Sequence, residues 1–221
     1  MAYKIVKRCV DLLFCLIALP VFLLILIVAG IAIKLEDGGP VFYISERIGK
    51  NGRKIYMLKF RSMKINAENI LTADGSTYNA KDDPRVTRVG RILRETSIDE
   101  TAQLINVLKG DMSAIGPRAS AWEALSAYKE DEIDKMKVRP GITGYTQAYY
   151  RNGIGVRDKR LMDAWYANHV SFLLDFKIFF KTLQTVFKRE NIYVDVSVDA
   201  EKVSVPEAKE LTAKEDAANV K

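Results

Sequence analysis

Histidine and cysteine are scarce in this 221-residue sequence, which contains one histidine, His169, and two cysteines, Cys9 and Cys15. Two cysteines cannot form the disulfide framework of a small secreted domain, and with a single histidine they offer no zinc cluster. A serine–histidine–acid triad would have to use His169, and no G-x-S-x-G nucleophile motif accompanies it. Acid–base chemistry therefore falls mainly to Asp, Glu, Lys or Tyr.

The charge is positive but unevenly distributed. Lys and Arg total 34 against 28 Asp and Glu, a formal charge of +6, whereas residues 199–221 are slightly acidic. A basic body favours polyanionic partners, namely nucleic acid, anionic lipid or phosphorylated ligands, although a need for solubility explains the same excess. The length suits one well-filled domain.

Residues 12–33 contain no charge, and as a straight helix they would extend ~33 Å, enough to cross the hydrocarbon core of a bilayer. A signal peptide is the least favoured interpretation because its apolar core has only ~7–15 residues. Pro20 lies near the middle of the segment, where it removes a backbone hydrogen bond. A single spanning helix and a re-entrant helix with a break at Pro20 both fit this pattern.

Positive charge on both sides of the segment favours the re-entrant path. Lys and Arg cluster before it, among residues 4–8, and after it, among residues 34–59, and positive charge prefers the cytoplasmic side of a membrane. A helix that enters, bends at Pro20 and returns keeps both clusters on that side. Asp11 is costly in lipid unless it is paired, and Arg8, one turn earlier, is the predicted partner.

The remaining sequence predicts a helix-dominated α/β domain with a β-hairpin. Asn51-Gly52 separates two β-prone runs and predicts the hairpin turn. Residues 172–189 carry aromatic residues at helical spacing among lysines, which suits an amphipathic helix at a membrane interface or one packed on the core. We expect a membrane-anchoring segment over residues 1–37, a catalytic domain over 38–198 and a charged tail over 199–221.

Asp99 and Glu100 form the central candidate for chemistry, and two interpretations of them are open. Ser97-x-x-Glu100 matches a capping box that would begin a helix. A helix N-terminus also favours anions, so a phosphate could bind there beside a nucleophilic carboxylate. Neighbouring helical residues diverge by about 100°, so one carboxylate could face phosphorus while the other holds a metal ion.

Basic residues suited to phosphate surround this pair along the sequence. Arginine makes forked contacts to phosphate oxygens, although some of the four arginines spaced three apart between 85 and 94 must face solvent. Arg118 is the stronger candidate because the Gly-Pro-Arg turn fixes the origin of its side chain. Lys59 and Arg61, at the end of the second hairpin strand, are further candidates.

These motifs together resemble the bacterial sugar transferases, the monotopic polyprenyl-phosphate phosphoglycosyl transferases. The resemblance extends in order from about Lys7 to Thr185, and the ordered set is specific where each motif alone is weak. The matching stretches are Gly39-Pro40-Val41-Phe42-Tyr43, Glu46-Arg47-Ile48-Gly49, Lys59-Phe60-Arg61-Ser62-Met63, Asp83-Pro84-Arg85-Val86-Thr87-Arg88-Val89-Gly90, Ser97-Ile98-Asp99-Glu100, Asn106-Val107-Leu108-Lys109-Gly110-Asp111-Met112-Ser113, Gly116-Pro117-Arg118 and Arg139-Pro140-Gly141-Ile142-Thr143-Gly144 with Gln147.

The resemblance implies a ping-pong transfer of sugar 1-phosphate from a UDP-sugar to polyprenyl phosphate, with release of UMP. Asp99 would be the nucleophile that becomes covalently phosphoglycosylated, and Glu100 would help hold Mg²⁺ or assist proton transfer. The resemblance further implies substrate-binding roles for a set of basic and polar residues: Arg94, Arg118, Lys59, Arg61, Arg139 and Gln147. It also implies a re-entrant helix at Pro20, interfacial amphipathic helices around the active site and a minimal catalytic form of the family.

From the same resemblance we expect a location at the cytoplasmic face of the inner membrane. The expected partners are a UDP-sugar, polyprenyl phosphate and membrane phospholipid, with later-acting glycosyltransferases as candidates and no nucleic acid. Leu19 stands where some members have serine before the proline. The alternative is a non-catalytic peripheral module that binds anionic lipid or nucleic acid, which explains the charge and the apolar segment but not the carboxylate pair.

Overall fold

The computed structural model of the chain describes residues 2–68, 70, 80, 82–151 and 153–188. The tail predicted at residues 199–221 and the end of the predicted catalytic domain lie outside the described residues. Helices dominate, and the strands form two small sheets. This agrees with the predicted helix-dominated α/β class.

The first helix, α1, extends over Ala2–Asp37 and includes Pro20. The helix is assigned without interruption through Pro20, so the predicted break between two helices is not confirmed. Proline removes one hydrogen bond from such a helix, and long apolar helices tolerate that loss. Residues Ile5–Asp37 are long and apolar enough, by length and composition, to cross a membrane.

One face of α1 packs along the body of the protein. Its buried residues recur at intervals of four and seven, at Cys15, Phe22, Ala29 and Ile33, so a single stripe faces the core. Phe22 meets Phe60 with ring centroids 6.4 Å apart. Much of the remaining helix surface is apolar and exposed: Ile5, Val6, Val10, Leu13, Leu16, Ile17, Val21, Leu23, Leu24, Ile27, Val28, Ile31 and Leu35.

The pairing predicted between Arg8 and Asp11 is replaced by contacts to the body. Asp11 is buried and accepts hydrogen bonds from Ser113 Oγ, at 2.9 and 2.8 Å, and from the Ala114 amide at 3.0 Å. The Arg8 guanidinium donates to the carbonyl of Val107 at 2.7 Å. Sequence spacing favours the local pair, but each group finds partners about a hundred residues away that hold α1 against the body.

The predicted hairpin is present. Strands β1 (Phe42–Ile48) and β2 (Lys54–Phe60) are antiparallel, with Tyr43 opposite Lys59 and Arg47 opposite Ile55. Asn51 and Gly52 both have positive φ, which is the conformation that an Asn-Gly turn favours. The buried Asn106 accepts from the Leu58 amide at 2.9 Å and thereby ties the hairpin to helix α3 (Leu104–Lys109).

The second sheet was not predicted. Strands β3 (Ser113–Ile115) and β4 (Gly141–Thr143) pair in parallel. The other elements are α2 (Arg88–Glu95), α4 (Tyr145–Tyr149), α5 (Val156–Asn168), α6 (Phe172–Lys188) and 3₁₀ turns at Ile98–Gln103, Trp122–Ala127 and Glu130–Lys137.

Helix α6 has both a packed and an exposed apolar side. Ile178 is fully buried in a cluster with Tyr166, whereas Phe172, Phe176 and Phe180 are exposed. The buried side agrees with the interpretation of a helix packed on the core, and the interpretation of a helix at a membrane interface stays a prediction. Phe14 of α1 lies edge-on to Phe179, so the exposed apolar surfaces of α1 and α6 adjoin.

Candidate active site

Two glycine-containing loops meet backbone to backbone at the centre of the site. A Cβ atom at Gly141 would lie 2.1 Å from the Gly116 amide nitrogen, and one at Gly144 would lie 2.0 Å from the Gly116 carbonyl oxygen. No side chain fits at such distances, so these glycines allow the loop after β3 to contact the loop after β4. The contact fixes the position from which Arg118 extends.

Asp163 of α5 holds both loops. Its carboxylate accepts from the Arg118 amide at 3.1 Å and from Thr146 Oγ1 at 2.9 Å, and it forms an ion pair with Lys135 at 3.1 Å. Asp163 and Thr146 are 1% exposed. Buried charges are stable only when they are paired and hydrogen-bonded, and the Asp163 carboxylate meets that condition. Its contact with Thr146 also fixes the position of the next residue, Gln147.

Asp99 and Glu100 lie in the 3₁₀ turn Ile98–Gln103. The residue before this turn, Ser97, adopts a left-handed conformation with φ 57°, and its side chain makes no capping hydrogen bond. The capping-box interpretation is therefore wrong. The left-handed turn instead separates α2 from the carboxylate pair and directs it toward β2.

Glu100 is paired with two cations. Lys59 Nζ lies 2.8 Å from Glu100 Oε1, and Arg118 Nη1 lies 3.7 Å from the same oxygen. Burial raises the pKa of this carboxyl, but Lys59 and Arg118 outweigh it and lower the pKa to about 2. Glu100 is therefore ionised throughout the physiological range.

Asp99 differs from its neighbour in having no direct partner. It is 8% exposed, and the described residues offer its carboxylate no hydrogen bond or ion pair. Burial is the main cause that raises its pKa to about 6, and the charge of Glu100 adds to it, against the opposing effect of Lys59. At neutral pH Asp99 is mostly an unpaired carboxylate inside a cationic site, which is the condition of an available nucleophile.

An open cleft of about 280 Å³ adjoins this pair. It is lined by Arg47, Met57, Lys59, Glu100, Gln103, Arg118, Ala119, Gly141 and Gln147. Of the residues predicted to bind substrate, the structure thus brings Lys59, Arg118 and Gln147 to the cleft. Arg94 donates to Ser62 Oγ at 2.8 Å, and its charge acts on the Asp99 carboxyl, whose pKa it lowers.

Gln147 presents a polar atom without a partner. Its Nε2 donates to the carbonyl of Ile142 at 2.9 Å, which fixes the orientation of the amide. The amide oxygen is buried and forms no hydrogen bond within the described residues. Such an orphaned acceptor costs free energy, on the order of 1–3 kcal/mol, unless a ligand N–H or O–H meets it.

Comparison with known proteins bears on this arrangement. The family model described as bacterial sugar transferase matches residues 2–189. The chain belongs to the bacterial sugar transferase family. Membership agrees with the resemblance carried by the sequence motifs, and the matched range includes every residue of the cleft.

Three curated relatives illustrate the similarity. An Aeromonas hydrophila protein named UDP-N-acetylgalactosamine-undecaprenyl-phosphate N-acetylgalactosaminephosphotransferase is 37% identical over 83% of this chain and 44% of its own. A Salmonella typhimurium protein named undecaprenyl-phosphate galactose phosphotransferase is 37% identical over 72% of this chain and 36% of its own. An uncharacterised sugar transferase of Bacillus subtilis is 36% identical over 90% of this chain and 95% of its own. The chain thus spans less than half the length of the first two relatives.

Two family arginines predicted to bind substrate lie elsewhere. Arg61 is 7% exposed and is held by the Asp37 carboxylate and by the carbonyl of Pro40, 2.7 Å from its Nε. Arg139 donates from Nε to the carbonyl of Gly110 at 2.7 Å and does not line the cleft. In a strand, alternate side chains point to the same face, and this alternation directs Lys59 into the cleft. Arg61 follows the last residue of β2, so the same rule does not apply to its side chain.

Arg47 and Gln103 line the cleft although the sequence did not single them out as ligands. Arg47 shares one face of β1 with Tyr43 and Ser45, and that alternation was the available signal. Gln103 ends the 3₁₀ turn that carries Asp99, a geometry that no local pattern predicts.

Magnesium was expected at Asp99 and Glu100. Among the described residues, no cluster of three or more His, Cys, Asp or Glu side chains forms a protein-only metal site. Mg²⁺ commonly uses one or two carboxylates and completes its shell with water and substrate phosphates. The adjacent pair, with Asp99 unpaired, fits that second class of site.

Proposed function

We propose that this protein transfers a sugar 1-phosphate from a UDP-sugar to a polyprenyl phosphate and releases UMP, the first step of a bacterial polysaccharide or glycoconjugate. The observation that carries the proposal is the unpaired Asp99 carboxylate, buried beside Glu100, Lys59 and Arg118. Family membership and the names of the relatives support the reaction class.

In the first half-reaction an Asp99 oxygen attacks the β-phosphorus of the UDP-sugar. The bond from this phosphorus to the bridging oxygen breaks, and the electron pair leaves with UMP. Lys59 and Arg118, which line the cleft, would stabilise the negative charge that develops on the phosphoryl oxygens, as preorganised cations do in phosphoryl transfer. The product is a phosphosugar ester of Asp99.

In the second half-reaction a phosphate oxygen of polyprenyl phosphate attacks the same phosphorus. The Asp99–phosphorus bond breaks, the carboxylate is regenerated, and the polyprenyl diphosphate sugar leaves. Mg²⁺ held by Asp99 and Glu100, together with substrate phosphates, would neutralise charge on these oxygens. Glu100 remains ionised through both steps because its pKa is about 2.

The contacts of α1 support a location at one membrane face. Lys7, near its start, pairs with Asp175 at 2.5 Å, and Asp37, at its end, pairs with Arg61. A straight helix would separate residues 7 and 37 by ~45 Å, yet both ends contact the same body. We infer that both ends lie on the same side, with the exposed apolar faces of α1 and α6 in lipid.

The deciding experiment is UMP release by the detergent-solubilised chain with Mg²⁺, a panel of UDP-sugars and undecaprenyl phosphate. UDP-galactose and UDP-N-acetylgalactosamine enter the panel because two relatives are named for these sugars. We expect release with one of the donors and a matching lipid-linked sugar phosphate. A folded protein that releases no UMP across a broad panel contradicts the proposal and favours the lipid-binding alternative.

A further inference from the structure

Arg47 occupies a sheltered position between two strands. It lies opposite Ile55 of β2, and its other side forms a bridge with Ala121, while the next amide, Ile48, donates to the carbonyl of Ser120 at 2.9 Å. The backbone of Arg47 is therefore fixed on both edges. This arrangement places the hairpin directly beside the loop that carries Arg118.

The guanidinium of Arg47 is only partly satisfied. Its Nε donates to Ser45 Oγ at 3.1 Å, and neither terminal nitrogen has a hydrogen-bond partner among the described residues. No described carboxylate forms an ion pair with it. Arg85 and Arg157, by contrast, each meet a carboxylate within 3 Å. The free fork of Arg47 lines the cleft.

Another cation of the cleft, Arg118, acts on Arg47, and the smaller effects of Glu123 and Glu100 oppose it. Burial lowers its pKa, and the neighbouring Arg118 lowers it further. Three cations, Arg47, Lys59 and Arg118, line the cleft with the single carboxylate of Glu100, and an anion between the two guanidinium groups lowers the repulsion that Glu100 leaves. Phosphate suits the position because two forks can each contact two of its oxygens.

The hairpin register indicates which of the two donor phosphates would bind between Arg47 and Arg118. Lys59, which pairs with Glu100 beside the nucleophile, lies four residues along β2 from Ile55, the residue opposite Arg47. Lys59 and Arg47 share one face of the hairpin, with their Cα atoms ~13 Å apart. Lys59 therefore serves the end of the cleft near Asp99, and Arg47 serves the opposite end.

We propose that Arg47 and Arg118 together bind the donor phosphate that departs with the nucleoside monophosphate. The inference rests on the proposed function and adds to it a binding residue for the leaving group. The contact holds the phosphate farther from Asp99, so that the attacked phosphorus is directed toward the carboxylate.

The test measures binding of UMP, and of uridine as a probe without phosphate, to the full chain in detergent by calorimetry. We expect Arg47→Gln to weaken UMP binding about tenfold or more and to leave uridine binding unchanged. Arg47→Lys keeps the charge but loses the fork, and we expect an intermediate loss. Arg53→Gln, an exposed cation of the same hairpin outside the cleft, is the matched control with no expected change.

Equal UMP affinity in wild type and in a folded Arg47→Gln variant would overturn the assignment while leaving UMP release by the wild type intact. An equal loss in Arg53→Gln would also overturn it, because only net charge would then matter. If Arg47→Gln does not fold, unchanged UMP affinity in Arg47→Lys would likewise overturn the assignment. A raised KM for undecaprenyl phosphate with unaltered UMP affinity would assign Arg47 to the acceptor instead, against this inference.

Discussion

Arg118 connects two groups of charges that differ in how completely their carboxylates are paired. The bracing cluster consists of Glu132, Lys135, Arg157, Arg160 and Asp163, and the cleft cluster consists of Lys59, Asp99, Glu100 and Arg118. Both are made of the same residue types, and each contains buried carboxylates, Glu132 and Asp163 in the first and Asp99 in the second.

In the bracing cluster every carboxylate is matched. Glu132 is 2% exposed and meets Arg157 at 2.9 Å and Arg160 at 3.3 Å, and Asp163 has three donors. In the cleft cluster Glu100 is matched, but Asp99 has no direct partner in the described part of the chain. The unpaired charge, rather than burial of a charge as such, therefore distinguishes the proposed nucleophile from the carboxylates of the bracing cluster.

The largest expected effect is on catalysis through Asp99. Asp99→Asn removes the nucleophile while keeping size and shape, so we expect UMP release to fall by at least ~10⁴-fold. The measurement is the initial rate of UMP release with the best donor. Asp134→Asn, at an exposed ion pair, is the control that should keep its rate. Substantial turnover by the Asp99 variant would show that the unpaired carboxylate of the cleft cluster is not the nucleophile.

The bracing cluster should respond in stability. Asp163→Asn leaves Lys135 buried without its charge partner, and breaking such a pair costs on the order of 3–5 kcal/mol. We expect a lower thermal unfolding midpoint, whereas the exposed Asp134→Asn should leave the midpoint almost unchanged, since exposed ion pairs contribute little. Equal unfolding midpoints for Asp163→Asn and wild type would show that the bracing cluster does not stabilise the fold.

The sequence predicted the elements whose signals are local. The Asn51-Gly52 turn defined the hairpin, and the uncharged run defined α1. It missed partners far along the chain: Asp11 binds Ser113 rather than Arg8, and Arg61 pairs with Asp37. Asp99 could be singled out because the ordered set of motifs around it is specific. That its carboxylate has no direct partner in the described part of the chain depends on packing, which no local pattern encodes.

Lys59 should contribute to the rate rather than to the fold. Lys59→Gln removes a cation 2.8 Å from Glu100 and close to the reacting phosphoryl group. We expect UMP release to slow by ~10²–10³-fold, as for loss of one preorganised donor. Lys54→Gln, whose partner Glu46 lies outside the cleft, is the matched control on the same strand. Equal losses in the two variants would contradict a specific role for Lys59.

The smallest expected effect is an increase in stability, whereas substitution of a buried residue usually lowers stability. The folded protein raises the pKa of Asp99 from 3.8 to about 6, so its ionisation disfavours folding as pH rises between these values. Asp99→Asn should therefore stabilise the protein at pH 7, by on the order of 1–3 kcal/mol, and make no difference below about pH 4. Thermal unfolding in EDTA across this range checks the sign. A destabilised variant at pH 7 would mean that Asp99 has a partner.

The most direct test of the central claim is the mass of the intact protein after incubation with its UDP-sugar and Mg²⁺, without acceptor. The account predicts one added sugar phosphate per chain on the peptide that contains Asp99, with an equal amount of UMP released. Undecaprenyl phosphate should discharge the adduct, and Asp99→Asn should not form it. Steady turnover with acceptor, but no adduct and no UMP without it, would contradict a covalent Asp99 intermediate.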